Sequence, residues 1–97
     1  MITQACIAAV LAFFGQMNVH LNTLPSLVIT DEIPYAGLYL GTVLRLRPDA
    51  DCAVFAHEMY HHKQYEDRGG DATSHAERVY RENIAHKWDI MFRGQDR

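Results

Sequence analysis

The sequence predicts an α+β domain with an N-terminal helix, a short and mainly antiparallel sheet containing a hairpin, and two further helices. Three observations carry that prediction. Apolar residues recur at helical spacing near the start and in two long stretches of the second half, short β-branched or alternating runs lie between them, and no repeat, low-complexity segment or linker interrupts the chain. A chain of 97 residues, 48% hydrophobic and 22% charged, has room for one hydrophobic core, so residues 1–97 are expected to form a single domain.

Ile2, Cys6, Ala9, Val10, Phe13, Met17 and His20 or Leu21 follow helical spacing and predict an opening helix from Ile2 to about Leu21. Pro25 and Ser26 break it, and the β-branched run Leu27-Val28-Ile29-Thr30 suits a buried strand ended by Asp31, Glu32 and Pro34. Tyr35 to Arg47 reads as a hairpin punctuated by Gly37 and Gly41, with Leu44 and Leu46 turned to the core and Arg45 and Arg47 turned to solvent or substrate. After Pro48, Asp49 or Asp51 can accept the free amides of a helix running from about Ala50 to Arg68, which Gly69-Gly70 closes. Its first half, from Cys52 to Tyr60, is apolar nearly all round and should be surrounded by protein. A last helix is expected from Ser74 to Phe92 or Arg93, with Gly94 as terminator and Ala76, Tyr80, Ile84, Trp88 and Met91 or Phe92 as its apolar stripe.

A formal charge of -3 and a pI near 6.0 create no field that would gather nucleic acid or an anionic membrane. Arg68, Arg78, Arg81, Lys87 and Arg93 are scattered among acids, as on solvated helix faces. Cys6 and Cys52 sit among apolar neighbours without a C-x-x-C pair, and are expected to be small buried hydrophobes rather than a disulfide. The stretch from Ala5 to Phe14 is apolar enough to suggest the centre of a signal peptide. No Lys or Arg precedes it, no small-x-small site follows it, and it is too short to span a bilayer. A cytoplasmic location without membrane contact is the resulting expectation.

Residues 57 to 61 read His-Glu-Met-Tyr-His, an H-E-x-x-H pattern inside a segment already assigned to a helix. Four residues along a helix amount to about 6 Å of rise and about 40° of rotation, so both imidazoles leave one face and can share an ion. Glu58 lies beside that face and can reach a water held at the metal's open position. With this composition, shuffling would generate the pattern in roughly two per cent of sequences, so chance is a poor explanation.

A catalytic zinc ion takes three protein ligands, so one more must come from elsewhere. Glu77, one turn into the last helix beside the expected stripe, is the choice. Ser74-x-x-Glu77 is also a capping box, in which the glutamate would bond back to the amide of residue 74. His75 is the main rival, followed by His62, Asp67 and Asp71; His86 and His20 are expected to be packed or exposed.

The order of a short strand, a glycine-containing hairpin with a Leu-Arg-Leu strand, Ala56-His57-Glu58-x-x-His61-His62-Lys63-Gln64 and then Ala76-Glu77 resembles the zincin fold of metallopeptidases, in its compact minigluzincin form. The resemblance covers roughly residues 27 to 88, and H-E-x-x-H is its one sharp motif. It implies His57, His61 and Glu77 as zinc ligands, Glu58 as general base, a peptide or protein substrate, and the strand from Val43 to Arg47 as an edge for an extended peptide. The residue that steadies the developing oxyanion is left open among Tyr80, His86 and Tyr35. Two other functions compete: a zinc-stabilised module on the same fold that binds protein without hydrolysing it, and a metal-free interaction domain. Glu58 favours the enzyme, because a purely structural site has no use for an acid beside the water position. Another divalent metal in the same nitrogen and oxygen site is also compatible with these residues.

Overall fold

A short polar side chain starts each of three helices by accepting a hydrogen bond from a free backbone amide of the first turn. Thr3 Oγ1 accepts from Cys6 N–H, the Asp51 carboxylate from Val54 N–H, and Ser74 Oγ from Glu77 N–H. In a computed structural model that describes residues 2–95, these caps open α1 (Gln4–Gln16), α2 (Cys52–Arg68) and α3 (His75–Gly94). Met1, Asp96 and Arg97, at the ends of the expected domain, lie outside the described residues. The first helix stops before the expected Leu21: Asn18 takes a positive φ of 57° and turns the chain. Gly69 closes α2 in the left-handed conformation, φ 78°, which costs a glycine nothing.

Three strands, β1 (Ser26–Ile29), β2 (Gly37–Leu40) and β3 (Val43–Leu46), lie between α1 and α2 and complete a small α+β fold. The spatial order is β1-β3-β2, with β1 parallel and β2 antiparallel to β3, so the sheet is mixed where a mainly antiparallel one was expected. Gly41 and Thr42 both take positive φ and make the tight β2–β3 turn that matches strand twist. Leu44 and Leu46 of β3 are fully buried against the helices, as their alternation predicted. Two expectations fail here. The strand containing Val43 to Leu46 is central and hydrogen-bonded on both sides, so it offers no edge to a peptide. Leu27, Val28 and Ile29 are 40–50% exposed, because their strand lies at the sheet's outer edge instead of being covered on both faces.

The core joins Val10, Phe13 and Phe14 of α1, Leu44 and Leu46 of β3, Phe55, Ala56 and Met59 of α2, and Trp88 and Phe92 of α3. Trp88 stacks on Tyr60 with ring centres 4.7 Å apart and meets Phe13 at 4.7 Å and Phe14 at 5.0 Å. Contrary to expectation, Cys6 and Cys52 form a disulfide, their Cα atoms 5.6 Å apart, which ties α1 to the first turn of α2. The helix packing that brings them together is not encoded in their local surroundings.

The inward face of α3 carries Arg81, Ala85, Trp88, Asp89 and Phe92. Ala76 and Tyr80, expected on the stripe, face outward. Trp88 and Phe92 of the expected stripe do face inward, but nearer the start of the helix the face runs through Arg81 and Ala85 in place of Tyr80 and Ile84, one residue or about 100° of helix rotation away. Three polar side chains at or beside it, Arg81, Glu82 and Asp89, account for the error, since a hydrophobic count overlooks them.

Candidate metal centre

The helical spacing of His57 and His61 brings their rings to 5.0 Å, centre to centre, both directed at α3. A carboxylate meets them there. Glu82 Oε1 lies 2.6 Å from His57 Nε2, and Glu82 Oε2 lies 3.0 Å from His61 Nε2. One ligand atom from each of the three residues falls within 4.8 Å of the others, a set of two imidazole nitrogens and one carboxylate oxygen that suits zinc.

The opposite ring nitrogens are fixed by partners that select the tautomer. Asp89 Oδ2 is 2.6 Å from His57 Nδ1, and Gln64 Oε1 is 2.7 Å from His61 Nδ1. Gln64 Nε2 donates to the carbonyl of Arg81 at 2.9 Å, which can only accept, so the amide oxygen must face His61. Each histidine therefore donates from Nδ1, and its Nε2 is the atom turned to the shared point, the arrangement that orients metal-binding imidazoles. Glu82 and Asp89 are seven residues apart, two turns and about 20° from alignment, so a single face of α3 supplies both carboxylates.

Burial acts to lower the pKa of His57, but hydrogen bonds to Glu82 and Asp89 outweigh it and raise the value to about 9. The same bonds, from His57 first and then His61, hold Glu82 well below the usual carboxylate range. A cation bound between these rings would compete with the proton on His57, and its affinity would rise with pH up to about 9.

Glu58 is 7% exposed and is engaged by no hydrogen bond or ion pair among the described residues. Burial raises its carboxyl pKa, against the pull of His61 and His57, and brings it closer to the range useful for exchanging protons near neutrality. Together with His61 and Glu82 it lines a cleft of about 620 Å³ between β2 and α3. Gly37 begins the β2 wall. A Cβ there would lie 2.8 Å from Glu58 Cγ, 2.9 Å from Val54 Cγ1 and 3.0 Å from Leu46 Cδ2, so the strand reaches Glu58 only because residue 37 has no side chain.

Of the residues expected from sequence, His57, His61 and Glu58 come together and Glu77 does not. The Glu77 carboxylate accepts from Arg68 Nε and, at 3.0 Å, from Arg81 Nε, while Glu82 occupies the position beside the histidines. Of the capping box that was the alternative role for Glu77, the Ser74 half forms, and the Glu77 carboxylate turns to the two arginines instead. His75 is exposed on the first turn of α3, Asp67 pairs with Lys63, and Asp71 accepts from the Gly41 amide. His62 is buried between the Tyr39 hydroxyl at 2.7 Å and the Thr23 carbonyl at 3.0 Å, turned away from the cluster and toward the sheet. His20 is exposed, and His86 is exposed beside Asp89. Of the three oxyanion candidates only Tyr35 lines the cleft; Tyr80 lies under the Arg68 guanidinium. Arg47 is bonded to the carbonyls of Asp31 and Ile33, away from the histidines. Sequence reasoning missed Glu82, Asp89 and Gln64. The seven-residue Glu82–Asp89 spacing and the three-residue His61–Gln64 spacing were the available signals.

Comparison with known proteins gives no matching family model, no matching curated protein and no matching solved structure.

Proposed function

We propose that this chain is a zinc-dependent peptide hydrolase in which His57, His61 and Glu82 hold the metal and Glu58 is the general base. The observation that carries the reading is the convergence of two tautomer-fixed imidazoles and one carboxylate within 4.8 Å, beside a buried carboxylate that no group among the described residues hydrogen-bonds or pairs with. A zinc ion held there supplies Lewis acidity to a carbonyl oxygen and makes a neighbouring water easier to deprotonate. Glu58 takes the proton of the attacking water and delivers it to the departing nitrogen. Asp89 and Gln64 keep the imidazoles aligned, and Asp89 also offsets charge on His57. An extended substrate has a free edge to pair with at β2, the outer strand that forms one wall of the cleft. The earlier expectation of β3 as that edge gives way to β2.

Metal content and cleavage of a broad peptide library, measured on one preparation, test this reading. Wild type should carry one zinc per chain and cleave; Glu58→Gln should keep the zinc and lose at least about a hundredfold in rate. Failure to bind zinc, or a Glu58→Gln variant as active as wild type, overturns the proposal. Full zinc loading without cleavage would favour the zinc-stabilised binding module.

A further inference from the structure

The cleft is not electrically uniform along its length. At one end β2 begins at Gly37, against Glu58. At the other, β2 runs out at Leu40, and the following Gly41 amide is held by Asp71 at 3.1–3.2 Å. α3 borders the same cleft, with Arg78 and Glu82 both on its lining. These two are four residues apart, so they share a helix face and are separated by about 6 Å of rise.

Two arginines line the cleft, and their circumstances differ. Arg81 is buried, with its guanidinium committed to the Glu77 carboxylate and the Gly70 carbonyl. Arg78 is exposed and takes part in no ion pair or side-chain hydrogen bond among the described residues. The neighbouring acid on that side, Asp71, is occupied by the Gly41 amide. Arg78 is thus a cation on the wall of the cleft with its donors free, one turn from the metal cluster.

We propose that Arg78 is a specificity-determining residue that binds a carboxylate of the peptide about two residues from the scissile bond. The proposal rests on the peptidase reading above and adds the substrate class to it. The distance follows from geometry: about 6 Å along α3 corresponds to about two residues of extended chain at roughly 3.3 Å each. A guanidinium is suited to paired hydrogen bonds with a carboxylate. The carboxylate has two sources. A peptide antiparallel to β2 would present an acidic side chain on the amino side of the cleaved bond; a parallel one would present an acidic side chain, or its free C-terminus, on the carboxyl side.

Binding without turnover separates this inference from the catalytic reading. Labelled peptides carrying Asp or Glu, or the matching Asn or Gln, are titrated into the zinc-loaded Glu58→Gln protein, each with a free and an amidated C-terminus. Acidic peptides should bind at least about tenfold more tightly than their amides, and adding Arg78→Gln should abolish the difference while leaving zinc content and thermal unfolding unchanged. Arg78→Lys should restore part of it. Dependence on the side chain or on C-terminal amidation identifies the source of the carboxylate. Equal binding of acidic and neutral peptides, no binding of either, or a preference that survives Arg78→Gln overturns the assignment, whether or not wild type cleaves. Wild type that cleaves nothing while the carboxylate preference holds overturns only the catalytic reading.

Discussion

Glu77 and Glu82 stand five residues apart on one helix, and their neighbours give them different work. Arg68 and Arg81 hold Glu77 at the outer end of α3, where hydrogen bonds from those two guanidinium groups lower the pKa of its carboxyl. Glu82 faces two imidazoles and has no arginine partner among the described residues. Glu82→Gln should therefore weaken zinc affinity by about a hundredfold or more, the upper range for loss of a group that supports a metal site. Glu77→Gln should leave affinity within about twofold, while exposing α3 to easier fraying because Arg81 loses its anion. Competition against a chromophoric chelator measures both, and the reverse order would return the ligand role to Glu77.

At the scale of the elements, β2 and α2 make a contact that tolerates no added atom. Gly37→Ala would force apart the strand, Glu58, Val54 and Leu46; Leu46 is fully buried, whereas Glu58 and Val54 each border a cleft into which they can be displaced. On the proposed peptidase mechanism, the substitution should reduce peptide cleavage at least about tenfold through misplacement of Glu58, with zinc content unchanged. Unaltered cleavage would show that the strand can yield instead. The elements themselves were largely legible in the sequence, since Asp51, Ser74 and Gly69 are local signals that act where they stand. The phase of α3 was not legible. Its inward face holds Arg81 and Asp89, whose burial is made tolerable by partners on other segments, Glu77 and the Gly70 carbonyl for one and His57 for the other. Strand order was hidden for a similar reason: β1 and β3 are neighbours although β2 lies between them in sequence, and no short-range pattern states that pairing. His57, Glu58 and His61 were visible because one helix carries all three; Glu82 depended on how a second helix turned.

For the molecule as a whole, the disulfide is the longest-range covalent constraint among the described residues. It closes a loop with a sequence separation of 46, which restricts the unfolded chain by about 4 kcal/mol. Replacing Cys6 and Cys52 together by Ala should lower the free energy of unfolding by 2–4 kcal/mol on this order of magnitude. Denaturant titration of the two proteins at equal zinc loading measures the difference. An unchanged midpoint would mean that packing of α1 alone holds the N-terminal helix in place. Such a bond persists in oxidising surroundings, so the stability of this chain is expected to depend on where it is kept.

The chain has a single tryptophan, and the fold puts it at the junction of these parts. Trp88 is enclosed by rings from α1 and α2 and immediately precedes Asp89, the residue that aligns His57. Its emission is consequently that of one indole in one surrounding, free of overlap from others. The molecule has its own optical gauge, in which the colour of a single chromophore follows the seating of α3 on the rest of the protein.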